Sequence, residues 1–160
     1  MTWATAGSDM FRAFVADVLT VTNMTSFTGI DSDTIKIALY NNTTAPDQNV
    51  TAANSAYAVD QWVVGNEVSN GAQWPVAGQT LAGQTVNAGT NGIVFFDGTD
   101  TASGATATLA NVFGCLVYDD TTTATADRGI CFNYFGGSQS VTNGTLTLVW
   151  NANGIFRFTL

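Results

Sequence analysis

The chain has 160 residues, 46% of them hydrophobic, which is enough for one domain with a real core and too apolar for a disordered chain. Only 10% are charged and the net charge is −8, with Arg12, Lys36, Arg128 and Arg157 the only basic residues, so no basic patch exists to grip nucleic acid. No apolar run approaches the roughly 18 residues of a membrane helix. The amino-terminal stretch "MTWATAGSDMFRAF" lacks the basic start and continuous apolar run of a secretory signal. Synthesis in a cytoplasm is therefore expected.

Residues 1–7 read as a short arm carrying one anchor, Trp3, ahead of a single domain spanning 8–160. A helix is expected at about 9–20. Ser8 is placed to cap it, and Met10, Phe11, Phe14, Val15, Val18 and Leu19 form one apolar stripe. The stripe is expected to pack on the protein's own sheet. "DTIKIALY" (33–40) alternates Ile35, Ile37 and Leu39 with Thr34, Lys36 and Ala38, the period of a strand. Residues 46–61 have no clean period and read as a long loop or a short helix. The segment 61–83 is Gly-rich and carries Trp62 and Trp74. "QTVNAG" and "GIVFFD" read as strands around an Asn-Gly turn. "TATLANVFGCLVYDD" and "GICFNYF" read as a hairpin, and residues 136–160 as a closing pair of strands joined by a tight turn. One amphipathic amino-terminal helix and about eight short antiparallel strands predict a mainly β fold, a sandwich or small barrel.

Chemistry is sparse. The chain has no histidine, which removes Ser-His-Asp and Cys-His nucleophile systems and the commonest metal ligand. Glu67 is the only glutamate, and Asp31, Asp33, Asp97, Asp100, Asp119 and Asp120 sit in turn-like surroundings where Asp side chains cap local backbone. "DGTD" (97–100) lacks the ligand density of a calcium loop. No enzymatic activity, cofactor or metal is expected. Trp62, Trp74, Tyr40 and Tyr57 could stack on sugars, but packing in a core or interface is the expected use. Cys115 and Cys131 are expected on adjacent strands, buried and reduced.

The ordered series "DTIKIALYNNTTAPD", "NEVSNGAQWPVAGQTLAGQTV", "FFDGTDT", "LVYDDTT" and "GGSQSVTNGTLTLVWNANGIFRF" resembles a family of small structural proteins of tailed bacteriophages. The likeness runs from about residue 8 to 160. It departs from the family pattern after "FFDGTDT", where this chain carries "ASGATATL". The resemblance implies a virion component made in the host bacterial cytoplasm. The expected position is the capsid surface, as a decoration protein bound to the major capsid protein and assembled as a homo-oligomer, with a trimer favoured. The alternative is a tail or fibre component touching host glycans. Trp3 is the expected contact of the arm, and Trp62, Val63, Val64 and Trp74 the expected seam between subunits.

Overall fold

A computed structural model describes residues 2–20, 28–89, 92–122 and 124–159. In chain order these residues form a one-turn helix α1 (Trp3–Ala6), strand β1 (Asp9–Met10), helix α2 (Arg12–Thr20), strand β2 (Ile35–Tyr40) and a short helix α3 (Ala52–Ser55). Two 3₁₀ turns follow, Asp60–Trp62 and Val64–Asn66. Seven strands precede the carboxyl-terminal one-strand tail: β3 (Gln79–Thr80), β4 (Thr85–Ala88), β5 (Ile93–Asp97), β6 (Thr101–Ala102), β7 (Ala107–Asp119), β8 (Arg128–Gly144) and β9 (Thr147–Leu148), with β10 (Phe156–Thr159) last. All pairings are antiparallel. The mainly β expectation holds, with ten strands among the described residues, four of them only two residues long. Among the described residues no helix is long and apolar enough to cross a membrane.

The core is built on a five-stranded sheet ordered β1-β8-β7-β2-β3. Ile37 opposes Val117 and Leu39 opposes Cys115. Val117 in turn opposes Cys131. Directly opposed residues share a face, so these five side chains form one buried face of the sheet. Ala38, Tyr40, Leu116 and Phe132 form the other, and they too are buried. Burial on both faces is what alternation alone misses: Ala38 and Tyr40 are as enclosed as Ile37. The second face is covered by Trp3, Phe11, Tyr57 and Trp62, whose rings meet Phe132, Tyr40 and Tyr118.

Three expectations are corrected. Helix α2 starts at Arg12, and residues 9–10 pair with β8 as β1 instead. Ser8 caps no helix; its hydroxyl accepts the backbone N–H of Tyr134 at 2.9 Å. Residues 136–160 are not a two-stranded ribbon. Residues 136–144 continue β8, while β9 pairs with β6 and β10 with β5. Gly136 and Gly137, with φ of 77° and 153° that other residues rarely adopt, let β8 run on through the bulge that shifts its register against β7. The β4–β5 pair forms as expected, and residues 90 and 91 of its turn lie outside the described residues.

Candidate interaction surfaces

Among the described residues, 2–7 of the expected arm are not a free element. Trp3 is fully buried, and its indole N–H donates to the Asn41 carbonyl at 2.9 Å. The ring lies 5.9 Å from Trp62, 6.2 Å from Phe132 and 6.5 Å from Tyr134, the last nearly parallel. It rests flush on β7 because Gly114 has no side chain: a Cβ there would come within 2.5 Å of Trp3 Cζ3. The amino terminus is thus a plug for the sheet's second face, and Trp3 is unavailable to a partner.

The expected seam is corrected in the same way. Trp62 and Trp74 are fully buried, whereas Val63 and Val64 are exposed beside exposed Val59. Trp62 packs edge-on against Tyr40 at 5.0 Å, and its carbonyl accepts the Tyr40 hydroxyl at 2.6 Å. A Trp in a Gly-rich stretch looks exposed only when the sheet it must cover is left out. Burial also removes Trp62, Trp74, Tyr40 and Tyr57 as a sugar platform.

The polar groups are brought together by the fold in pairs that neighbours in sequence do not predict. Asp119, fully buried at the end of β7 opposite Ile35, meets the carboxyl of Asp33 and not that of Asp120. Burial, helped by the charge of Asp33, pushes Asp119 up to about 6. Asp120 pairs instead with Lys36 at 2.8 Å and with Asp127, and burial together with Asp120 raises Asp127 to about 6. Glu67 accepts the Tyr57 hydroxyl at 2.7 Å, and its own pKa is raised by burial. Asp100 accepts the backbone N–H of Trp150 at 2.9 Å, a contact 50 residues away in sequence rather than the local turn cap expected of it. Each of these carboxyls makes an internal contact, although Glu67 Oε1 and Asp119 Oδ2 are buried without a hydrogen-bond partner among the described residues. Cys115 and Cys131 lie on neighbouring strands β7 and β8, buried and unbridged, and burial pushes Cys115 up to about 12.

The exposed apolar groups gather elsewhere. Phe11 and Phe14 of the helix stripe are buried, but Val18 and Leu19 are 38% and 79% exposed. Across from them stand Val86 of β4 and Phe158 of β10, 47% and 40% exposed. Together with Phe14 and Phe156 they line a groove of about 450 Å³. The helix stripe and the apolar carboxyl end are both visible in the sequence; Val86 is not distinguished there, and only the β4–β5–β10 order brings it to the helix. No protein-family model, curated protein or solved structure matches the chain.

Proposed function

We propose that the protein is a structural component of a tailed-phage virion, a decoration protein that binds the outside of the assembled capsid and stabilises it. The observation that carries this reading is the groove between α2 and the β4–β5–β10 sheet, where apolar side chains from three separate elements stand exposed on one side. Contiguous exposed apolar surface is the mark of a docking face. The sequence resemblance supports the virion setting. A ligand that binds an assembled shell but not its free subunits stabilises the shell by mass action, and many copies make modest affinity sufficient. The major capsid protein is the partner in this reading. The molecule acts as a homo-oligomer, a trimer, with the exposed Val63–Val64 corner in its seam.

The test is to add purified protein to heads lacking it and to measure occupancy and head melting temperature. Saturable binding with a raised melting temperature is expected, together with loss of both in Leu19→Ser/Phe158→Ser. Recovery of the protein in tails, or heads whose melting is unchanged at full occupancy, overturns the proposal.

A further inference from the structure

A second cleft of about 660 Å³ shares Val15, Leu19, Phe156 and Phe158 with the groove but is otherwise lined by different residues. Residues 155–158 line it consecutively, as do 8–10. Successive strand residues point to opposite faces, so a cleft touched by every one of them runs along the strand's edge. Both edges are open: β10 has β5 as its only strand neighbour among the described residues, and β1 has only β8. Open edges present unpaired backbone donors and acceptors to an incoming strand.

The charge is as informative. Lys36 is paired with Asp120 and Arg128 with Asp17. The other two basic residues, Arg12 and Arg157, are exposed, carry no ion pair among the described residues, and both line this cleft. In a chain of net charge −8, the unpaired cations are thus collected at one place. The cleft's own carboxylate, Asp9, is turned to its neighbour's backbone, accepting the Met10 N–H at 2.8 Å. Arg12 lies close enough to Asp47 to lower that group's pKa, and Asn49 does most of that lowering. Val15, Leu19, Phe156 and Phe158 supply apolar walls.

We infer that this cleft takes an extended peptide segment from another chain, added as a strand along β10 and bearing carboxylates that meet Arg12 and Arg157 between apolar side chains. Main-chain pairing at an edge supplies affinity, and alternate side chains supply selectivity. This does not rest on the capsid reading, since any partner protein other than a copy of this chain that presents such a segment qualifies.

The test uses fluorescein-labelled, end-blocked heptapeptides of alternating valine and glutamate, followed by fluorescence anisotropy. The glutamate peptide is expected to bind saturably and to weaken as salt is raised. Its lysine counterpart and a version with central proline, which cannot complete the ladder, are expected not to bind. Arg12→Gln/Arg157→Gln should weaken binding about tenfold, two exposed charge contacts being worth about that much together. Both side chains are exposed, so an unchanged melting temperature verifies the fold. Equal binding of the lysine or proline peptide, equal binding by the double variant, or no saturable binding at millimolar peptide overturns the inference. Self-association that the glutamate peptide competes away makes a second copy the occupant and likewise overturns it.

Discussion

Trp3→Ala separates a plug from an arm. A buried Trp removes about 150–250 Å² from water, which at about 25 cal/mol per Å² is about 4–6 kcal/mol as an upper bound, because the unfolded chain is itself partly compact. Loss of the indole also strands the Asn41 carbonyl, a cost of about 1 kcal/mol. Observed Trp→Ala core losses of about 3–5 kcal/mol bracket the result, and about 4 kcal/mol is expected here. For a domain of this size that lowers the melting temperature by roughly 8–16 °C. Urea unfolding followed by Trp fluorescence and far-ultraviolet circular dichroism measures it. Gly114→Ala attacks the same contact from the sheet side. Its Cβ would lie 2.5 Å from both Trp3 Cζ3 and the Asn133 carbonyl. A loss of about 1–3 kcal/mol is expected. The two variants should be non-additive by about 0.5 kcal/mol or more, because the ring that the new methyl strikes is gone in the double variant. A Trp3→Ala loss below about 1 kcal/mol, the range of exposed sites, would refute the plug.

Three further outcomes follow from the interior. Cys115 and Cys131 should react with a thiol reagent only on unfolding, because burial pushes both pKa values up; native-state labelling of either within minutes contradicts this. Asp119 has a folded pKa of about 6, above its unfolded value, so the folded state holds the proton more tightly and stability falls as pH rises from about 4 through 6. Asp119→Asn should therefore gain stability relative to the parent at pH 7 and little at pH 4, read from urea midpoints at the two pH values. Asp17→Ala removes the carboxylate partner of fully buried Arg128 and should cost about 3 kcal/mol, read in the same unfolding assay.

What the sequence determined by itself is local. The period of two in 33–40 and the i, i+3, i+4 stripe beginning at Phe11 are written in neighbouring residues, and β2 and α2 form where those periods lie. The β4–β5 pair and the Cys115–Cys131 neighbourhood follow from turn residues and hairpin spacing. Tertiary structure decided everything that depends on what a residue meets at long range. Trp3 looks like an anchor on a loose end until Gly114 and Asn41, far along the chain, give it a slot and an acceptor. Asp119 and Asp120 look like one pair until β-pleating sends them to opposite faces, one to Asp33 and one to Lys36 and Asp127. The partner of the apolar carboxyl end was equally hidden. A strand's side-chain pattern says which face is buried but not which edge it joins, and β10 joins β5 because the sheet order leaves that edge open.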